Sequence, residues 1–238
     1  MKEKKTFFVS GIDTNIGKSY ATGYIARQYM AKGYKTITQK FIQTGNVGFS
    51  EDIQLHRKIM GTGPLPEDYV LLTSPVILPY PASPHLAAKL QNTTIHCENI
   101  TQATKTLEQK YDVVLVEGAG GLMVPITEKF LTIDYIQQHS YPVILVTSGR
   151  LGSINHTLLC LEALKNRDIK IESLVYNTYP QTDACIEEET IQYLKNYIKC
   201  HLEDTAFEII PEINIDSATQ EQHIQQHGQR LTKNHGHS

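Results

Sequence analysis

A phosphate-binding loop is the most distinctive pattern in the sequence. Residues 10–19 read Ser-Gly-Ile-Asp-Thr-Asn-Ile-Gly-Lys-Ser and connect a predicted strand to a predicted helix. Gly11 and Gly17 allow backbone N–H groups to turn toward phosphate oxygens. Lys18 is then placed to reach the β- and γ-phosphates, and the Ser19 hydroxyl to bind Mg²⁺ held by them. The alternative is a plain glycine-rich turn, because five residues separate the glycines and the common loop has four.

A carboxylate followed by glycines forms the second pattern. The apolar run at 113–116 ends in Glu117-Gly118-Ala119-Gly120-Gly121. Open parallel sheets place their ligands at the carboxyl ends of the strands. Glu117 could hold Mg²⁺ there, while the glycines admit substrate or phosphate close to the backbone. A helix-cap or turn carboxylate is the structural alternative.

Two further charged residues are ambiguous when they are taken one at a time. Lys40 ends the second predicted strand, and the Thr44 hydroxyl follows four residues later. A lysine there would supply fixed positive charge to a carboxylate or to a transferring phosphoryl group, but an exposed strand-end lysine has the same pattern. Asp52 begins a predicted helix, where the pattern alone favours a helix cap over a metal ligand.

The elements that position these residues alternate short β-branched runs with longer helical patterns. This alternation predicts an α/β fold, with a mostly parallel central sheet and helices on both faces. Strands are predicted at 6–10, 36–40, 113–117, 142–148, 172–177 and 208–213. Helices are predicted at 18–32, 52–60, 84–91, 99–110, 133–139, 154–166 and 183–199. The proline-rich stretch 61–84 is predicted to be an irregular excursion.

The composition favours one domain. The chain has 238 residues, 40% of them hydrophobic, and a formal net charge of −3. A chain of this length buries roughly 70–75% of its extended surface, so we predict one catalytic domain over residues 1–215. Residues 216–238 are rich in Gln and His and are predicted to form a polar, partly frayed tail. Its histidines are His223, His227, His235 and His237, and a solvated tail is favoured over a metal cluster because no third committed ligand accompanies their spacing.

Several functional classes are disfavoured. The four cysteines are far apart and form no C-x-x-C pair, so a disulfide scaffold is not expected. No run approaches the roughly 18–20 apolar residues of a membrane span, and the apolar run after the basic start ends after three residues. Lys and Arg are scattered rather than gathered on one face. We therefore predict a cytoplasmic protein whose main partner is neither a membrane nor a nucleic acid.

The order of the motifs resembles the dethiobiotin synthetase family. The similarity rests on the segments 11–19, 82–85 (Ala-Ser-Pro-His), 116–121 and 151–156, together with Lys40, Thr44, Asp52 and Asn177. It extends over about residues 6–213 and implies a P-loop NTPase-like fold. It also implies a ligase of biotin biosynthesis. In that reaction, 7,8-diaminopelargonic acid and CO₂ form a carbamate, ATP phosphorylates it, and the second amine displaces phosphate to give dethiobiotin and ADP.

The same resemblance implies roles for individual residues. The ATP site would comprise Asn15, Ile16, Gly17, Lys18, Ser19, Tyr20, Asp52, Glu117, Gly118, Ala119, Gly120, Asn177, Pro211, Glu212 and Ile213. The catalytic residues would be Lys18, on the transferring phosphoryl group, and Lys40. Mg²⁺ would be bound by Ser19, Asp52 and Glu117. The substrate would contact Thr44, Ser83, Pro84, Gly152, Ser153 and Asn155, the last three from the neighbouring subunit of a homodimer.

The chain departs from the family pattern at four positions. Asn15 replaces a frequent glutamate, Phe41 a proline, Thr44 a serine and Arg150 a lysine. Thr44 keeps the hydroxyl. Asn15 removes a negative charge near the phosphates or the substrate ammonium group, so nucleotide affinity or substrate handling is expected to differ there.

Two other functions share parts of this pattern. A nucleotide switch ATPase of the partitioning or site-selection type has the same loop and sheet, but usually carries a lysine early in the loop, where this chain has Ile12 and Asp13. An amidotransferase-type cobyrinate synthetase needs a further glutaminase domain, for which no room follows Ile213. The synthetase interpretation is therefore preferred to both.

Overall fold

The computed structural model describes residues 4–179 and 183–212. The strands in this part of the chain are β1 (Lys5–Gly11), β2 (Thr36–Lys40), β3 (Gln43–Thr44), β4 (Ile77–Leu78), β5 (Val113–Gly121), β6 (Pro125–Thr127), β7 (Phe130–Leu131), β8 (Val143–Ser148), β9 (Ile171–Asn177) and β10 (Ala206–Ile210). Six of them form the central sheet in the order β10-β9-β8-β1-β5-β2, and every neighbouring pair is parallel. The predicted α/β class with a parallel sheet is confirmed.

Helices connect the strands along the chain. They are α1 (Lys18–Ala31), α2 (Glu51–Met60), α3 (Pro66–Tyr69), α4 (Pro84–Leu90), α5 (Cys97–Lys110), α6 (Thr132–Gln138), α7 (Ser153–Lys165) and α8 (Ala184–His201). Strand β8 is buried at all six positions and β5 at its first six. Such continuous burial fits strands that are covered on both faces, which is why their sequences are apolar runs rather than alternating patterns.

The carboxyl edge of the sheet brings the sequence motifs together. Strands β1, β5 and β2 are neighbours, and Glu117 on β5 lies beside both Val9 of β1 and Lys40 of β2. The phosphate-binding loop therefore leaves β1 next to the ends of the two strands that carry Glu117 and Lys40. This arrangement is expected for a parallel sheet, in which all carboxyl ends meet at one edge.

The structure corrects several predicted boundaries. The sixth predicted strand, 208–213, spans Ala206–Ile210 instead. The predicted strand 113–117 is too short, because β5 continues through the glycines to Gly121 and pairs there with Gly11. The glycines permit this continuation, since a Cβ on Gly121 would lie 3.2 Å from the Gly11 carbonyl oxygen. The stretch 61–84 contains α3 and β4, which were not predicted because two- to four-residue elements leave no periodic pattern.

No helix within 4–179 or 183–212 combines the length and the apolar character that a membrane crossing requires. The histidine-rich tail at 216–238 lies outside the described residues, and so does Ile213.

Candidate active site

The phosphate-binding loop runs from the end of β1 to the start of α1. Gly17 stands before the first helical residue with a φ of 82°, in the left-handed region that favours glycine. Lys18 is buried and its Nζ donates to the Asp13 carbonyl oxygen at 2.8 Å, so the side chain folds back over the loop. Burial lowers the pKa of Lys18 to about 8. Asn15 is exposed and also has a positive φ, of 57°.

The glycine-rich end of β5 lies against this loop. A Cβ on Gly120 would come within 3.7 Å of the Thr14 hydroxyl oxygen, and one on Gly118 would clash with the Phe8 ring at 2.8 Å. Gly120 also has a φ of 71°, and a Cβ there would clash with Val124 at 2.8 Å, so positions 118 and 120 both favour glycine. Phe41, the departure from the family proline, is buried against Phe8 and Tyr135.

Three oxygen donors meet beside the loop. The Ser19 hydroxyl lies 2.6 Å from Asp52 Oδ1 and 2.8 Å from Glu117 Oε1. Asp52 is free to take this position because Ser50, not Asp52, caps α2: the Ser50 hydroxyl accepts a bond from the Ile53 amide at 3.2 Å. The sequence favoured Asp52 as the cap, and the structure overturns that preference.

Lys40 lies between the two carboxylates. Its Nζ is 2.6 Å from Asp52 Oδ2 and 2.7 Å from Glu117 Oε1, and it also donates to the Gly118 carbonyl oxygen. Lys40 is 5% exposed, so the alternative of an exposed strand-end lysine is wrong. Ser19, Lys40, Asp52 and Glu117 are called the cation pocket below.

The charges in the cation pocket stabilise one another. Burial alone would raise the pKa of Glu117, but Lys40 and His56 beside it hold that pKa well below its usual range. Burial alone would likewise lower the pKa of Lys40, but Glu117 and Asp52 raise it above its ordinary value. Glu117 therefore stays a carboxylate and Lys40 an ammonium ion at neutral pH.

His56 is a site residue that the sequence analysis missed. Its Nε2 lies 2.6 Å from Glu117 Oε2, and both side chains are fully buried. The available signal was spacing, because Asp52 and His56 are four residues apart on one helix and so share a face. One face of α2 thus delivers a carboxylate and an imidazole to the same pocket.

The other residues expected at the ATP site lie at the ends of β9 and β10 and on α1. Asn177 is buried, and its Nδ2 donates to the carbonyl oxygens of Ile16 and Tyr179 at 3.0 and 2.9 Å. This amide therefore braces the phosphate-binding loop from the end of β9. Pro211 and Glu212 follow β10 and are exposed. Tyr20 lies on the first turn of α1 and is half-buried.

The expected substrate residues fall into two groups. Thr44 lies on β3, which pairs with β4, and Ser83 precedes α4, where its hydroxyl is 3.1 Å from His85 Nδ1. Pro84 is the first residue of α4 and is buried. The second group, Gly152, Ser153 and Asn155, lies at the start of α7.

The start of α7 is exposed and carries no side-chain cap. Gly152 adopts a φ of 94° with open space around it, and Leu151 is 87% exposed. Arg150 pairs with Asp13. The bond from the Thr14 amide lowers the Asp13 pKa most, and the bond from Arg150 lowers it further. Ser153 is buried: its hydroxyl faces Ser148, and its backbone amide donates to the Arg150 carbonyl oxygen at 2.9 Å.

The donors of the cation pocket suit Mg²⁺. A hydroxyl and two carboxylates are hard oxygen ligands, and Mg²⁺ usually takes only one or two carboxylates while phosphates and waters complete its shell. Within 4–179 and 183–212 no group of three His, Cys, Asp or Glu side chains could hold a metal ion. One hydroxyl and two carboxylates fit an ion whose remaining ligands come from nucleotide phosphates and water.

Fold and site together define a nucleotide-binding protein of the P-loop NTPase class. A family profile described as an AAA domain matches residues 5–228. An ATP-dependent dethiobiotin synthetase BioD 2 of Pasteurella multocida is 50% identical over 89% of this chain and 99% of its own length. The BioD 2 of Haemophilus influenzae is 52% identical over 76% of this chain and 95% of its own length. The chain belongs to the dethiobiotin synthetase family.

The likeness to a solved structure supports the fold only. The ParA family ATPase from Chlorobium tepidum superposes with a TM-score of 0.53, covering 92% of this chain and 90% of that one, at 16% identity. This likeness shows a shared architecture. No function of that ATPase is carried over, because identity at this level supports the fold alone.

Proposed function

We propose that the protein closes the ureido ring of dethiobiotin from 7,8-diaminopelargonic acid, CO₂ and ATP. One substrate amine adds CO₂ as a carbamate, and a carbamate oxygen takes the γ-phosphoryl group from ATP. The second amine then attacks the carbonyl carbon, and inorganic phosphate leaves. The position of Lys40, buried between two carboxylates and beside the phosphate-binding loop, is the observation that carries the proposal.

The lysines would share the work of charge stabilisation. Lys18 would hold the β- and γ-phosphates. Lys40 would face the carbamate and the oxygens of the transferring phosphoryl group. The salt bridges of Lys40 support this role, because they keep the ammonium protonated and fix its position before substrate binds. A fixed charge needs little reorganisation in the transition state.

Ser19, Asp52 and Glu117 would hold Mg²⁺ together with ATP. When bound, the ion would neutralise phosphate charge and orient the γ-phosphoryl group. Lys40 contacts both carboxylates in the structure described here. Its ammonium group therefore offsets part of the negative charge of Asp52 and Glu117.

A homodimer with a shared active site is part of the proposal. Leu151, Met123 and Leu159 are 87%, 52% and 61% exposed near the start of α7. A cavity of about 590 Å³ is lined by Met123 and Leu159, with Asp13 among its other residues. Apolar exposure of this kind suits a protein interface. The uncapped α7 amides of one subunit would bind the substrate carboxylate in the site of the other.

The deciding experiment is a search for dethiobiotin by mass spectrometry. Purified protein receives diaminopelargonate, isotopically labelled bicarbonate, Mg²⁺ and ATP, and the label should appear in the ureido carbonyl with one ADP formed per product. Lys40→Ala is the negative control. ATP hydrolysis that responds to DNA or lipid, with no labelled product, would instead support the nucleotide-switch interpretation.

The remaining predictions concern location and domain organisation. A cytoplasmic enzyme that uses neither nucleic acid nor membrane is consistent with ATP as co-substrate and with four free cysteines. The elements of the sheet all lie within residues 5–210, which supports one catalytic domain over 1–215. Truncation after residue 215 should therefore leave the formation of dethiobiotin intact.

A further inference from the structure

The two oxygens of Glu117 have different partners. Oε1 faces the Ser19 hydroxyl and the Lys40 ammonium group at 2.8 and 2.7 Å. Oε2 turns away from them and is 2.6 Å from His56 Nε2. Glu117 is 0% exposed, so a carboxylate oxygen without a donor there would carry an uncompensated desolvation cost.

The second ring nitrogen of His56 also has a hydrogen-bond partner. Its Nδ1 lies 3.0 Å from the Thr38 hydroxyl oxygen, which accepts a bond from Arg57 Nη1 at 2.8 Å. Glu117 is ionised and can only accept, so the ring N–H lies on Nε2. The Thr38 hydroxyl, whose oxygen accepts from Arg57, then donates its proton to Nδ1. The imidazole therefore donates to Glu117.

The row of bonds ends on a fixed anchor. Asp68 receives two bonds from the Arg57 guanidinium group, at 2.8 and 2.9 Å, and further bonds from the Leu65 amide and the Thr73 hydroxyl. Asp68, Arg57, Thr38, His56 and Glu117 thus form one continuous relay across α2 and β2, called the positioning relay below.

We infer that His56 is the positioning residue of the metal-binding carboxylate: by bonding Oε2, it leaves Oε1 alone to face Ser19 and the Mg²⁺–ATP complex. This inference rests on the proposed function. Without the Nε2 donor, Glu117 is free to rotate about its terminal bond and to bring both oxygens toward Lys40. Removing the hydrogen-bond partner of a metal ligand typically lowers metal affinity by about 10–100-fold.

The test uses two amide variants that differ in reach. In His56→Gln the side-chain nitrogen extends to about the position of Nε2, whereas in His56→Asn it stops near Nδ1. Thr104→Val is the matched control, because it removes a buried 2.6 Å bond to Gln39 on the neighbouring position of β2 without touching Glu117. Binding of Mn²⁺ by paramagnetic resonance is measured with a non-hydrolysable ATP analogue and no substrate.

We expect the His56 variants to change the affinity for Mn²⁺ but not the affinity for the nucleotide analogue. His56→Asn should weaken Mn²⁺ binding by about 10–100-fold, His56→Gln should recover most of it, and Thr104→Val should match wild type. Affinity for the analogue without metal should be the same in all four proteins. Equal Mn²⁺ affinity in wild type and His56→Asn overturns the inference while leaving the proposed function in place. Absence of Mn²⁺ binding in wild type overturns the proposed metal site, and the inference with it.

Discussion

The cation pocket and the start of α7 are built in opposite ways. In the pocket, Lys40 and Glu117 are buried and every charged group meets a partner within 2.8 Å. At the start of α7, Gly152 and Leu151 are exposed, and the first turn has no side-chain cap. The charged groups of the pocket find their partners within one chain, whereas the start of α7 presents an uncapped helix end and the exposed side chain of Leu151.

The difference agrees with the division of labour in the proposed homodimer. Buried charges at fixed distances lower the reorganisation that phosphoryl transfer requires, so the pocket gains from being finished in advance. A region that binds the substrate tail has to remain open to substrate, and the amides at a helix N-terminus can bind the substrate carboxylate when it arrives. We therefore expect damage to the pocket to affect chemistry and damage at α7 to affect substrate capture between subunits.

The largest effect is expected from Lys40→Ala. Turnover should fall by about 10²–10³, the scale for removing one prearranged electrostatic contact, while ATP affinity stays close to wild type. Lys18→Ala should instead weaken ATP binding. Single-turnover rates and analogue titrations separate the two, and the exposed Lys105→Ala serves as control. Near-normal turnover of Lys40→Ala would show that the pocket does not depend on this charge.

A smaller effect is expected when one carboxylate of the pocket is neutralised. Asp52→Asn and Glu117→Gln should each raise the Mg²⁺ concentration for half-maximal rate by at least about tenfold, because one hard oxygen ligand loses its charge. The measurement is the Mg²⁺ dependence of rate at saturating ATP. If the dependence is unchanged in both variants, the shared-metal assignment is wrong.

Mixing two inactive variants tests the division of the site between subunits. Lys40→Ala damages the pocket, and a variant with helix-disrupting changes at Ser153 and Asn155 damages the start of α7. A mixed dimer holds one intact site, so random exchange should restore up to about a quarter of wild-type activity. Subunit exchange proven by mass spectrometry without recovered activity, or a fully active monomer in sedimentation, would contradict the shared site.

The smallest effect concerns stability in acid. Burial would raise the pKa of Asp68, but its bonds and charge pairing with Arg57 lower it below the usual 3.8. The unfolded chain therefore binds the proton more readily, so this stabilisation is present above 3.8 and is lost as pH falls through the lower folded value. Asp68→Asn should flatten the loss of stability in acid, measured by urea unfolding.

Asp13 offers the matched comparison for this effect. It pairs with Arg150, but their side chains are 39% and 51% exposed, and exposed pairs contribute little to stability. Asp13→Asn should leave the acid slope nearly unchanged. If Asp68→Asn and Asp13→Asn change the acid dependence of stability equally, burial does not explain the difference between the two carboxylates.

The sequence by itself determined the sheet and the phosphate-binding loop. Apolar runs such as 143–146 are local signals of buried parallel strands, and Gly11, Gly17, Lys18 and Ser19 lie within one short segment. The motif order also indicated the family. These features were predictable because each depends on residues that are adjacent in the chain.

The tertiary structure alone decided which charges meet. Asp52 could be read as a cap until Ser50 was seen to cap α2, and Lys40 as a surface lysine until β2 was seen to pair with β5 at Glu117. His56 had no interpretable partner, since 61 residues separate it from Glu117. Register between distant strands and the rotation of a helix depend on packing of the whole core, and no short stretch of sequence encodes them.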